Sequence, residues 1–290
     1  MHDKVDLSVI IVTWNSADEI YDCLTSSYES LDGLNAEYFV IDNASDDGSI
    51  AEISRAVEYG IHNITIVENK QNLGYTKACN QGIVISKGRN ILLLNPDTKA
   101  KPGSLAKLFA KLEADEKLGA IAPQLLNEDG SIQYSCRTFP TYWDMICEFT
   151  LLSRLFPESE TFAKWKMKYF KHNVEMTVDQ PMAAALMVKG DLMRKLNGFD
   201  EQFRMFFNDV DLCNRIYESN MQICFYPDAK VYHKQGASVN KVKPEMIDIW
   251  NDDCMKYFSK HNNKYLSLLI LSILLKISGV LRKTYYKLIK

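Results

Sequence analysis

Three short polar clusters sit beside apolar or aromatic runs: Asp42-Asn43, Asn95-Pro96-Asp97 and Asn208-Asp209-Val210-Asp211. Asp42 can accept from a base N–H or a ribose hydroxyl, or it can close an Asx turn before the next helix. Asp97 offers the kind of carboxylate a hard divalent cation uses when phosphate oxygens fill the rest of its shell. The same Asn95-Pro96-Asp97-Thr98 also reads as a turn. Asp209 and Asp211 follow Phe206-Phe207 and suit a helix start, where acids meet the positive end of the dipole. His233, in Val231-Tyr232-His233-Lys234, is either a metal ligand or a packed imidazole. No GxGxxG or GxxxxGK[ST] follows the first apolar run, so dinucleotide and P-loop readings lose their support. No CxxC pair or HExxH helix marks a zinc site, and Cys213 and Cys224 read as small core residues.

The elements that must carry these groups alternate. Leu7–Thr13 is a β-branched apolar run of the kind buried on both faces of a parallel sheet. Tyr38–Asp42, Ile64–Glu68 and Asn90–Asn95 repeat it, with helical patterns near 17–30, 50–59 and 76–86 between them. Alternation at short loop length predicts an α/β fold: an open, mainly parallel sheet flanked by helices. Ligands of such sheets sit outside the carboxyl ends of the strands, where Thr13-Trp14-Asn15, Asp42-Asn43 and Asn95-Pro96-Asp97 collect. A helix near 104–116 and a short strand at Ile121-Ala122-Pro123 follow. Residues 130–181 are aromatic and basic and lose the rhythm, which Ala183–Val188 restores as a buried strand.

Length and composition, 290 residues with 47% hydrophobic and 24% charged, fit an ordinary globular chain. Seven scattered cysteines fit reduced thiols better than a disulfide framework. No basic, apolar and small-residue leader opens the sequence, so a cytoplasmic protein is expected. From Cys254 to Lys290 there is no acid and there are eight Lys or Arg; the chain carries −3 overall, which leaves −11 elsewhere. An acidic body argues against nucleic-acid binding, and a basic tail suits an anionic lipid surface.

Taken together, the motifs resemble family 2 glycosyltransferases, the inverting type with the GT-A fold. The matching segments are Val9–Ser16, Val40–Ser49, Asn69–Tyr75, Leu92–Thr98, Gly198–Glu201 and Asn208–Leu212, in the expected order between about Leu7 and Gly236. Gly130–Thr141 is in addition similar to bacterial rhamnosyltransferases. The resemblance implies an enzyme that moves a sugar from a nucleotide diphosphate, best dTDP-rhamnose, onto a glycan or lipid-linked acceptor in cell-surface polysaccharide synthesis. Asp42 would read the base, with Thr13 and Asn15 in the same pocket, while Asn72 and Gly74 let the backbone approach ribose and diphosphate. Asn95 and Asp97 stand where the family carries Asp-x-Asp, with Asn95 replacing the first acid. Asp97 would then hold Mn2+ or Mg2+, joined by His233. Asp209 aligns with the catalytic base, and Arg137, Asn208 and Asp211 are expected to meet the acceptor. The residue before the base is often Glu in the family and is Asn208 here. The alternative from another class is a non-catalytic nucleotide-sugar-binding subunit of an assembly complex, against which the presence of both Asp97 and Asp209 argues.

The implied division is a GT-A catalytic domain over 1–240, with a nucleotide-binding half (1–100) and an acceptor-binding half (101–240), then a C-terminal helical extension over 241–290. In that extension Leu266, Leu269, Ile270, Ile273, Leu274, Ile277, Val280 and Leu281 fall on one helical face, and Lys276 interrupts a full apolar span. A helix lying at the inner face of the cell membrane through residues 262–290 is expected. Packing on the body or on a second copy in a homodimer are the other readings.

Overall fold

The computed structural model describes residues 4–234 and 243–289. Strand β1 (Leu7–Thr13) is buried throughout and lies between β2 (Ala36–Asp42) and β4 (Asn90–Leu94), parallel to both. Strand β3 (Ile64–Glu68) extends the parallel set beyond β2. Helices α1 (Ala17–Glu29), α2 (Ser49–Tyr59) and α3 (Tyr75–Ile85) are the crossovers. Along β1 the side chains alternate: Val9 and Ile11 join a core with Ile20, Leu24 and Ile53, while Ile10 joins Ala78, Cys79 and Ile83 on the other face. That period of two with helices on both sides is why the run carries no polar residue but Ser8 and Thr13.

The second half turns the sheet mixed. After β5 (Thr98–Ala100) and α4 (Ser104–Ala114) comes β6 (Leu118–Leu126), nine buried residues where the sequence suggests three. Pro123 is tolerated because β10 (Ala185–Lys189) pairs β6 only at Ala120 and Ile121, leaving one side of Pro123 without a ladder. The full order is β3-β2-β1-β4-β10-β6-β11-β5, with β11 (Gln222–His233) parallel to β6, and with β10 and β5 antiparallel to their neighbours. The stretch without rhythm holds a two-stranded ribbon, β7 (Cys136–Arg137) with β9 (Gln180–Pro181). It also holds the short helices α5 (Tyr142–Phe149) and α6 (Leu152–Leu155), and β8 (Met176–Thr177), which pairs with β11. Helices α7 (Gly190–Lys195) and α8 (Asn208–Glu218) cover the face shared with α3.

The C-terminal helices α9 (Lys243–His261) and α10 (Tyr265–Ile289) build a third core. Cys254, Tyr257 and Phe258 of α9 and Leu271 and Leu275 of α10 close over Met145, Phe203, Phe207 and Val210. Each fully buried side chain of this size contributes about 1.5–3 kcal/mol. The core reaches the loop that leads into α8, so α9 is part of the scaffold that holds Asp209.

Candidate active site

The parallel register sets Thr13 beside Asp42 at the carboxyl edge. Asp42 is buried and accepts from the Ser45 N–H at 3.0 Å and the Ser45 hydroxyl at 2.5 Å, an Asx turn that fixes the β2–α2 loop. Asn15, with φ of 52°, accepts from the Asp46 N–H at 2.9 Å, and its own N–H donates to Ser45 Oγ at 2.9 Å. Thr13 is fully buried, and among the described residues its hydroxyl has no partner. Asn72 Oδ1 accepts from the Gly74 N–H at 2.9 Å. Gly74 itself stands at φ 85°, ψ 165°, a region open in practice only to glycine. A side chain there would also approach the Arg204 carbonyl at 3.4 Å, so the glycine lets the Asn69–Gly74 loop press against the segment before α8.

One strand over, Asn95 N–H donates to the Ala184 carbonyl at 2.9 Å, and Lys234 N–H to the Asp97 carbonyl at 3.0 Å. The antiparallel pair His233–Thr98 thereby brings His233 Nε2 to 3.4 Å from Asp97 Oδ1. Gln133 decides what that nitrogen is. Its amide nitrogen donates to the His233 carbonyl (3.1 Å) and to Asn127 Oδ1 (3.0 Å), so its oxygen must face His233 Nδ1 at 2.7 Å. An oxygen there calls for a proton on Nδ1, which leaves Nε2 as the nitrogen that faces the Asp97 carboxylate. Nε2 and a carboxylate oxygen set side by side are both groups that can ligate a divalent cation. Among the described residues no cluster of three or more His, Cys, Asp or Glu gathers as a complete protein cage. Two ligands plus phosphate oxygens is the arrangement expected when a cation rides on a diphosphate.

Asp209 opens α8. Just before it, Phe207 adopts φ 57°, costly for a bulky residue at roughly 1–3 kcal/mol. Its ring is held against Trp250 and Tyr257 of α9, with centroids 5.2 and 5.4 Å away. The fully buried Asp253 of α9 accepts three successive backbone N–H groups, from Arg204, Met205 and Phe206, at 2.9–3.2 Å. The loop so clamped delivers Asp209, whose Oδ2 accepts from Gln180 Nε2 at 3.0 Å. Burial pushes the Asp209 carboxyl above the usual carboxylate range, against the Val210 N–H and the Arg137 guanidinium, which pull it down. A carboxylate raised in this way is better matched to taking a proton near neutral pH.

Tyr75 links the two acids. Burial drives its phenol well up, Cys79 adds to this, and the negative charges of Asp209 and Asp97 both contribute. The structure therefore brings Asp97, His233, Asp209 and Arg137 to one edge around Tyr75 and Gln180. It does not bring Asp211 there. Positions two apart on a helix face different sides, and Asp211 is fully buried against Arg215 (2.8 Å), Lys260 (2.6 Å) and His261 (2.7 Å). Asn208 is likewise engaged inside the fold, donating to Thr76 Oγ1 at 3.2 Å and accepting from the Asp209 N–H at 2.6 Å. Gln133, Gln180, Tyr75 and Asp253 escape a reading of the sequence. Tyr75 and Gln133 lie inside matched segments, but no residue type or spacing gives any of the four its role, and only the register of distant strands and helices gives each a partner.

A sequence profile described as glycosyl transferase family 2 matches residues 8–177. The N-acetylglucosaminyl-diphospho-decaprenol L-rhamnosyltransferase of Mycobacterium tuberculosis is 25% identical over 215 residues, 69% of this chain and 67% of that protein. A low-salt glycan biosynthesis hexosyltransferase of Haloferax volcanii is 24% identical over 223 residues, 75% of this chain and 64% of that one. Among solved structures, a mannosyltransferase from Pyrobaculum calidifontis in complex with GDP-Man and Mn2+ superposes with a TM-score of 0.60. It is 18% identical, with 94% of this chain and 72% of that one covered, a likeness that establishes the GT-A fold. The chain belongs to glycosyl transferase family 2. It is a glycosyltransferase, with rhamnosyltransferases among its relatives.

Proposed function

We propose that the chain is an inverting transferase that moves a hexose, with rhamnose from dTDP-rhamnose as the preferred donor, onto a lipid-linked or glycan acceptor. The single observation that carries the chemistry is that one segment, 180–184, touches both acidic positions: Gln180 Nε2 bonds Asp209 at 3.0 Å, and the Ala184 carbonyl bonds the N–H of Asn95, two residues before Asp97, at 2.9 Å. In this reading Asp209 takes the proton from the acceptor hydroxyl as its oxygen bonds to the anomeric carbon, and the bond from that carbon to the diphosphate breaks. Attack opposite the leaving group inverts the centre, by the logic of inverting glycosidases. Thr13, Asn15, Asp42, Asn72 and Gly74 line the nucleotide side. Asp97 and His233 would hold Mn2+ or Mg2+, whose chemistry when bound is to neutralise charge on the diphosphate. The rhamnose assignment is supported by the Gly130–Thr141 stretch and by the names of the relatives. Transfer assays across dTDP-, UDP- and GDP-sugars test it. Preference for a UDP- or GDP-sugar overturns the rhamnose donor without touching the reaction class.

The acceptor side of the proposal includes a membrane surface on the cytoplasmic face. Tyr265–Thr284 spans 20 residues with mean hydropathy 1.8, long and apolar enough to cross a bilayer. Leu271 and Leu275 are nevertheless spent on the body, while Leu266, Leu269, Ile273, Ile277 and Val280 remain exposed. A helix with one face docked and the other apolar and flanked by lysines lies in an interface more readily than it spans one. Because deleting the helix would uncover Phe258, substitution is the cleaner test. Leu269→Gln with Ile273→Gln should lose co-flotation with anionic vesicles while keeping the wild-type fold; unchanged flotation removes lipid from the account.

A further inference from the structure

Among the described residues Arg137 is a half-buried cation with no direct ion-pair partner. It lies in β7 directly opposite Gln180 of β9, and residues paired across a ladder project to the same face. Gln180 uses its amide nitrogen on Asp209, so Arg137 shares the side on which the base stands. Its guanidinium lies 5.4 Å from the Trp165 ring centroid, a cation–π contact that orients the planar group without using its N–H donors. Among the described residues no hydrogen bond or ion pair engages the Arg137 side chain, although part of the residue stays accessible. Burial lowers its pKa, and the Asp209 and Glu148 charges only partly offset this.

Other polar atoms around it are unspent as well. Gln180 Oε1, Thr138 Oγ1 and Trp165 Nε1 are buried and, among the described residues, unpartnered. Gln180 is itself only 3% exposed. Native proteins rarely enclose a charge and its polar neighbours without partners, because each unsatisfied group costs about 1–3 kcal/mol and a charge costs more. The missing partner must be anionic to match a guanidinium fork, and planar or tetrahedral oxygens fit it bidentately. The donor's own diphosphate is the poorer candidate. In a displacement with inversion the leaving group departs on the side opposite the base, whereas Arg137 stands on the side of the base.

We propose that Arg137, stacked on Trp165 and set opposite Gln180, is a subsite for a phosphate group carried by the acceptor close to its reacting hydroxyl. This rests on the reading of Asp209 as base and narrows it. The acceptor class becomes a phosphorylated or diphosphate-linked saccharide rather than a neutral glycan. The guanidinium then does two things at once: it holds the acceptor by its anion and it fixes the distance from that anion to Asp209.

The test compares two acceptors bearing the same sugar, one a short-chain lipid diphosphate and one a neutral alkyl glycoside, in wild type, Arg137→Gln and Arg137→Lys. Charge-assisted bonds of this kind are worth about 1.5–3 kcal/mol, or roughly 10–100-fold. Arg137→Gln should raise KM for the diphosphate acceptor by that factor and move KM for the alkyl glycoside by less than about 3-fold. Arg137→Lys keeps a point charge without the fork and should recover part of the loss. Donor affinity by calorimetry should be unchanged in both variants. Equal losses on both acceptors, or a loss confined to donor binding, overturns the subsite. Absence of transfer by the wild type to either acceptor overturns the underlying function instead, and circular dichroism separates either result from misfolding.

Discussion

The two sides of the cleft handle their polar groups in opposite ways. On the nucleotide side most of them are already spent inside the protein: Asp42 on Ser45, Asn43 Nδ2 on the Gly74 carbonyl, and Asn69 on both Asn43 and Gln81. On the side of the base, Arg137, Gln180, Thr138 and Trp165 keep capacity unused. A loop network satisfied in advance makes a rigid frame for a ligand common to the family. Unspent groups mark where a particular ligand completes the structure, and pre-organisation of the first region lowers the ordering cost of binding at the second.

That contrast can be broken at several points. The largest effect belongs to Asp209→Asn, which should lower kcat for transfer by about 10²–10⁴-fold, the usual worth of a positioned base, while donor binding stays near wild type. Near-normal turnover would assign the proton to another group. Next is Asp211, whose role is scaffolding. Asp211→Ala leaves Lys260, His261 and Arg215 without their shared carboxylate and should cost about 3–5 kcal/mol in denaturant unfolding. Its carboxyl lies below the usual range despite burial, through His261 and Lys260. That stability is present above the ordinary carboxylate pKa and fades as pH falls through the lowered one. A smaller effect is on the pH profile. Because burial raises the Asp209 pKa, activity should disappear on acidification above the pH at which an ordinary aspartate protonates. Arg137 opposes that rise, so Arg137→Gln should move the acid limb of kcat/KM, measured with the neutral acceptor, to higher pH. A limb that stays put or moves to lower pH separates Arg137 from the base.

Much of the frame was legible because its periodicity is local. The runs at Leu7–Thr13 and Tyr38–Asp42 advertise double-sided burial, and Asp42, Asp97 and Asp209 follow or adjoin such runs. The rest depends on contacts far apart in the chain. Gln133 meets His233 a hundred residues away, and nothing about a lone glutamine announces that it orients an imidazole. The resemblance implies an acceptor role for Asp211, but helical geometry turns it inward toward Lys260 and His261 of α9. The clamp of Asp253 on residues 204–206 could not be foreseen either, since it requires α9 to fold back over the loop before α8.

The most direct measurement is a double-mutant cycle on transfer kcat/KM with Asp97→Ala, Asp209→Asn and the pair combined. Groups that act as one unit are strongly non-additive. If both acids serve a single reacting centre, the double variant should be about as slow as the slower single one. Losses that multiply in full would mean that the two carboxylates work independently and that no common centre joins them.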